Sequence, residues 1–166
     1  MTSKAKSKGN SLERAVCEIM KETFGGSWLR VPSSGAFTGG KNAWRKEAIS
    51  AKQTGAMTGD IIPDDSMQGL SIECKNYADF SWSGVLLGKN KQIDGWIEQA
   101  AEAAKSDHNL WLLIMKFNNQ GIWTVYDKNK FSDFQLVNYM VYKDYIIVNF
   151  KEFLSLNKQK IIELSQ

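Results

Sequence analysis

The stretch "LSIECKNY", Leu70 to Tyr77, decides how the chain is read. As a β-strand, its side chains alternate between two faces. Leu70, Ile72 and Cys74 then point one way, and Ser71, Glu73 and Lys75 the other. A carboxylate and an ammonium side by side on an otherwise apolar strand admit two readings. An exposed ion pair would contribute only about 0–1 kcal/mol. An active site would give both charges a reason to sit beside the core, and the flanking residues decide between the two.

Upstream, "DII" (60–62) and "LSIECK" (70–75) flank "PDDSMQG", which is expected to turn a β-hairpin. With the turn centred near residues 66 and 67, Asp60 falls opposite Glu73, where facing Cβ atoms lie roughly 4.5–5.5 Å apart. Lys75 follows two positions on, along the same face. Two carboxylates so close repel each other unless a cation lies between them. Oxygen-only ligands favour a hard ion, Mg²⁺ with Mn²⁺ as its substitute, over zinc. The lysine adds charge that can stabilise a phosphoryl transition state or position a water. Asp60, Glu73 and Lys75 on one hairpin therefore suit phosphodiester cleavage. Asp64, after Pro63, is a rival for Asp60, but at the turn it is out of register with Glu73.

The rest of the chain supplies a scaffold. "NSLERAVCEIMKETFGG" predicts a helix, with Asn10 as N-cap and Gly25-Gly26 as its stop. "SWLRV" (27–31) is a short strand that Pro32 ends, and Lys41 to Gln53 is a candidate basic helix within the Gly-rich stretch 33–59. Residues 91–106 predict a second amphipathic helix, with Ile93, Trp96, Ile97, Ala100, Ala101 and Ala104 on one stripe. "LWLLIMKF" (110–117) is the expected central buried strand, followed across "NNQG" by "GIWTVYD" (121–127) and later by "DYIIVNF" (144–150). Asn149 and Glu152 have the spacing of a capping box for a C-terminal helix. This order predicts an α/β protein, a central mixed sheet flanked by helices. It is expected to be one domain over 10–166 after a flexible basic start at 1–9.

No apolar run approaches the roughly 20 residues of a membrane span, and no secretory signal is expected in "MTSKAKSKGN". Cys17 and Cys74 suggest neither a disulfide framework nor a zinc site, which points to a reducing cytoplasm. The net charge is +3, but it is unevenly spread. Residues 1–52 carry ten Lys and Arg against four Glu, and the remainder eleven against fourteen acids. A basic N-terminal third suits a polyanionic partner.

Taken together, "GD" at 59–60 and "ECK" at 73–75 resemble the P-D-(D/E)-x-K nuclease superfamily. Within it, "KGNSLERAV" (8–16) and "RVPSSG" (30–35) resemble the archaeal Holliday-junction resolvases, and phage-encoded endonucleases look closer still. The resemblance covers residues 8–75 and, more loosely, the helix at 91–106. It implies a restriction-endonuclease-like fold and a homodimer that acts as a structure-specific nuclease on junctions, or as a restriction-like or nicking nuclease on branched or duplex DNA; the rival reading is a DNA-binding module that keeps the fold without catalysis. Asp60 and Glu73 would ligate Mg²⁺ together with the Cys74 carbonyl, and Lys75 would act at the attacking water or the scissile phosphate. Glu13 would complete the acidic cluster, and Ser33 and Ser34 would contact phosphate or water.

Several residues keep a second reading. Glu13, three positions after Asn10, fits a capping box, yet on a helical wheel it lies about 20° from Met20, within reach of a site. Ser33 and Ser34 also suit a turn between Pro32 and Gly35. Arg30, Lys41, Arg45, Lys46 and Lys52 suit phosphate contacts as a group, and Trp44 could stack on a base. Gln99 invites comparison with helical glutamines near such sites, but the wheel places it away from the buried stripe. Residues 35–59 are longer and more Gly-rich than expected of a junction resolvase; they are read as an arm that orders on DNA or selects the substrate.

Overall fold

The alternation in Leu70–Tyr77 is answered by two apolar layers, one on each side of the sheet. The structure, a computed structural model, describes residues 3–31, 59–104 and 109–166. Helix α1 spans Ser3–Phe24. It begins earlier than expected, so Asn10 lies inside it rather than capping it, and the start expected to be flexible is helical from Ser3. Ala and Lys are good helix formers, which favours this extension. Gly25 ends the helix with φ 75° and donates its N–H to the Lys21 carbonyl at 2.8 Å.

Strand β1 (Leu29–Arg30) pairs antiparallel with β2 (Ile61–Ile62) in a small sheet of its own. This corrects the expected hairpin ladder between residues 60–62 and 70–75. The intervening segment is pulled elsewhere: Asp65–Met67 forms a 3-10 turn with Met67 buried, and the Gly69 N–H bonds the Ser165 carbonyl at 2.7 Å. Asp60 still meets the next strand, through a single backbone bond from its N–H to the Ile72 carbonyl at 2.8 Å.

Strand β3 (Leu70–Tyr77) is an edge of the main sheet. It is followed by a short helix α2 (Trp82–Leu86), helix α3 (Lys91–Ala104) and strand β4 (Leu110–Phe117). Then come β5 (Ile122–Asp127), β6 (Tyr139–Tyr142), β7 (Tyr145–Asn149) and helix α4 (Phe150–Ser165). The five-stranded sheet has the order β3-β4-β5-β7-β6, with β3 parallel to β4 and every other pair antiparallel. The expected α/β sheet flanked by helices is therefore present. Its central strand is β5 rather than 110–117, while α2 and β6 carry too little periodicity to be read beforehand. The Asn149 cap holds, its side chain accepting the Glu152 N–H at 3.1 Å.

Leu70 and Ile72 join Leu112, Ile114, Tyr126 and Val148 under α1 and α4. On the opposite face Trp111, Leu113, Met115 and Phe117 pack against Ile93, Trp96, Ile97 and Ala100 of α3. Ser71, Glu73 and Lys75 belong to this second face, beneath a helix rather than in open water. Among the described residues, no helix is long and apolar enough to cross a membrane.

One polar group in the core pins a long connection. Asn157 is 3 % exposed and departs from helical geometry (φ −122°, ψ 17°), which kinks α4. Its amide accepts the Gln135 N–H at 2.6 Å and donates to the Gln135 carbonyl at 2.8 Å, tying the β5–β6 connection to the helix. Asn157→Leu leaves both backbone groups unpaired and is expected to cost roughly 2–4 kcal/mol. Urea unfolding should show a lower midpoint at unchanged slope; an unaltered midpoint would mean water replaces the amide.

Candidate active site

The outer edge of β3 has no neighbouring strand, so its outward N–H and C=O groups need other partners. Asp60 supplies two of them. Its N–H bonds the Ile72 carbonyl, and its carboxylate Oδ2 accepts the Cys74 N–H at 2.8 Å. In a strand, the N–H and C=O of one residue point to the same side, so the Cys74 carbonyl also faces this edge. Gly59 permits the approach: at φ 79°, a Cβ there would lie 2.6 Å from the Ile72 carbonyl oxygen. Asp60 is thus brought beside Glu73, as expected, by edge-capping bonds rather than by a ladder.

Glu73 is 5 % exposed, which removes the surface ion-pair reading. Its Oε1 accepts from the Lys75 ammonium at 2.7 Å and from the Gln99 amide at 2.5 Å. Gln99 in turn accepts from Lys75 through its own carbonyl oxygen at 2.8 Å, so the three side chains close a ring. Burial pushes the Glu73 carboxyl up, the neighbouring Asp60 charge adds to this, and Lys75 only partly opposes them.

Glu13 lies behind this pair, on α1, with its Oε2 held by Arg30 Nε at 2.6 Å. The helix starts at Ser3, so the capping-box reading of Glu13 lapses. Its charge reaches the site, adding to the upward push on Glu73 after burial and Asp60, although among the described residues no group of three or more acidic, Cys or His side chains is gathered closely enough to hold a metal. Arg30, read as a phosphate contact, is engaged by Glu13. Asp64 is engaged elsewhere: it accepts from the Ser27 N–H at 2.7 Å and from the Ser66 N–H and hydroxyl at 3.0 and 2.7 Å. The Ser27 N–H, then the Ser66 contacts, hold its carboxyl below the usual range. Its place is at the turn, as its register indicated.

Ser33, Ser34, Lys41, Arg45, Lys46 and Lys52 lie outside the described residues, as do Trp44 and His108. Gln99 is the residue the sequence undervalued. A wheel assigns everything off the buried stripe to solvent, whereas a long side chain on the flank of α3 reaches the sheet edge. The structure shows why it reaches: Trp96, one turn earlier, packs its ring 4.8 Å from Tyr77, two residues past Lys75, which sets this flank of α3 against the end of β3.

Among the described residues, the oxygen donors gathered at this edge are the carboxylates of Asp60 and Glu73, with the Cys74 carbonyl beside them, a set suited to a hard divalent ion. The crowding of Glu73 by burial and by a like charge fits the same group, because a bound cation would relieve it. Cys74 itself is a poor thiolate, its thiol pushed well up by burial and then by Asp60 and Glu73.

The raised Glu73 carboxyl has a stability signature. Its proton is held more tightly in the folded chain, so this group's contribution is full below the ordinary carboxyl value and is lost as pH rises through the folded value. In metal-free buffer, Glu73→Gln is expected to raise the melting temperature at pH 8 by about 2–4 °C for each kcal/mol of relieved burial and repulsion. The gain should shrink as pH falls toward 4. Calorimetry across that range checks it, and a lower melting temperature at pH 8 would make the Lys75 pair the larger effect.

A family model described as "Phage putative PDDEXK endonuclease" matches residues 4–163. No curated protein matches the chain, and no solved structure does. The matched span takes in Glu13, Asp60, Glu73, Lys75 and Gln99 alike, and the chain belongs to this family of phage endonucleases.

Proposed function

We propose that the chain is a Mg²⁺-dependent endodeoxyribonuclease that hydrolyses phosphodiester bonds in branched DNA, with a four-way junction as its first substrate. The observation that carries this reading is the meeting of Asp60 and Glu73 at the buried edge of β3, with the Lys75 ammonium bonded to Glu73 at 2.7 Å. Asp60, Glu73 and the Cys74 carbonyl are the groups that would hold the ion. When bound, it would supply concentrated positive charge for the anionic phosphoryl group.

The chain's own residues do the rest. Lys75 offers its ammonium to the phosphoryl oxygens as charge builds on them during in-line attack by water. Glu73 and Gln99 fix that ammonium before substrate arrives, so little reorganisation is left for the reaction itself. Arg30 and Glu13 brace α1 against the small sheet behind the site. The basic first third of the chain supports a polyanionic substrate, and the junction preference rests on the resemblance of "KGNSLERAV" and "RVPSSG" to junction resolvases. Paired cuts across a symmetric junction call for a homodimer, and the reducing compartment read from the cysteines is the cytoplasm of an infected cell. The alternative substrate is duplex DNA, cut or nicked by the same residues.

The test is a cleavage assay with Mg²⁺ on labelled four-way junction, flap and linear duplex, with Glu73→Ala and Lys75→Ala run alongside. Paired symmetric cuts confined to the junction are expected, with both variants slower by about 10²-fold or more. Cutting of all three DNAs, still dependent on Glu73, would retain the nuclease and discard the junction. No cutting with Mg²⁺ or Mn²⁺, or cutting indifferent to Glu73→Ala, would overturn the reading. Gly59→Ala pushes Asp60 off the edge of β3 and is expected to slow cleavage by about 10²-fold while leaving DNA affinity nearly intact.

A further inference from the structure

Leu86 and Leu87 are 78 % and 74 % exposed, the two most exposed large apolar side chains among the described residues. They sit at the end of α2, in the segment that leaves the C-terminal end of β3. This segment is firmly built. Ser81 caps α2 by accepting the Gly84 N–H at 3.2 Å, and the Lys89 N–H returns to the Gly84 carbonyl at 2.8 Å. Buried Asn90 closes the base: its amide donates to the Ser81 carbonyl at 3.0 Å and accepts from the Gln92 and Ile93 N–H groups at the start of α3. Val85, 2 % exposed, roots the helix in the core.

At the root of α2 lies an aromatic cluster, packed against the core that holds Val85. Phe80 stacks on Phe117 at 4.4 Å and meets Trp82 edge-on at 4.9 Å, and Trp82 leans on Trp123 at 5.4 Å. Burial would stabilise two leucines carried on so ordered a scaffold. The segment holds them in water instead. An apolar pair presented on a rigid base is a binding element rather than a loose loop.

Charge and position select the occupant. Residues 78–91 carry Lys89 and Lys91 against Asp79; Asp94, in the first turn of α3, is paired with Lys143 at 2.7 Å, while Glu98 and Glu102 lie in the later turns. The anion-attracting end of α3 is therefore the leucine end. The tip also continues the line of the active site: Glu73, Lys75 and Tyr77 follow one another along one face of β3, Tyr77 packs on Trp96, and Trp96 stacks on Phe80. Along α3, Lys91 lies eight residues from Gln99, about 12 Å at ~1.5 Å per residue. At ~3.4 Å per base step, that is three or more steps from the phosphate held at Lys75.

We propose that Leu86 and Leu87 form a wedge that enters the base stack of the bound DNA three or more steps from the cleaved phosphate, unstacking it and bending the substrate into the site. Leucine is among the side chains that serve this purpose, and flanking lysines hold the backbone while the stack opens. The proposal rests on the nuclease reading above. It adds a reason for such an enzyme to prefer DNA that is already open or bent, where unstacking costs least.

The test uses the full chain, without divalent ions at low salt, on duplex and four-way junction carrying 2-aminopurine at successive positions. Binding is followed by anisotropy and unstacking by 2-aminopurine fluorescence. A rise of several-fold at one position is expected for wild type. The Leu86→Ala/Leu87→Ala variant should lose it while still binding, with Kd weakened by no more than about tenfold. Fluorescence that stays flat in the bound wild-type complex, or a rise that persists in the variant, overturns the wedge. So does a variant that keeps the rise but sediments as a smaller species, which would make the leucines a contact between copies of the chain. Wild type giving no anisotropy change would sink the nucleic-acid reading itself, and the wedge with it.

Discussion

The site depends on how one sheet edge is closed. The outward groups of β3 would otherwise face water as an open template for another strand. Asp60 closes them with both halves of itself, its N–H taking the Ile72 carbonyl and its carboxylate taking the Cys74 N–H. One residue thereby completes the sheet and delivers a carboxylate beside Glu73. Because a backbone bond sets its height along the strand, the spacing between the two acids is fixed by secondary structure rather than by side-chain packing.

This economy has an energetic cost. Burying two acids side by side disfavours the charged form of Glu73, and one ammonium offsets only part of that. Gln99 is the remedy available within the fold: a neutral amide that donates to Glu73 and accepts from Lys75, satisfying both without adding charge. It comes from α3, the crossover helix that parallel pairing of β3 and β4 requires. The connection that makes the sheet also roofs the site.

Much of this is legible in the sequence alone. The period-2 pattern in Leu70–Tyr77 names the right faces, and the α3 stripe and the Asn149 cap match the structure because each is a local signal. Asp60 was placed opposite Glu73 by a hairpin that does not form; two bonds to the strand edge bring it to the same height. The failures are non-local. The 3-10 turn drawn to Ser165 and the reach of Gln99 across to β3 depend on partners far along the chain. The pairing of Glu13 with Arg30 spans seventeen positions, beyond what a helical wheel can show.

The Val31 N–H bonds the Asp60 carbonyl at 2.9 Å, so the chain on either side of residues 32–58 is stitched together at the site. Loop-closure entropy grows only slowly with length, by about 0.6 kcal/mol per doubling. Whatever residues fill that excursion, the seam at its base keeps the carboxylate where β3 needs it. The length and composition of the stretch can therefore drift while Asp60 stays registered to a single backbone hydrogen bond.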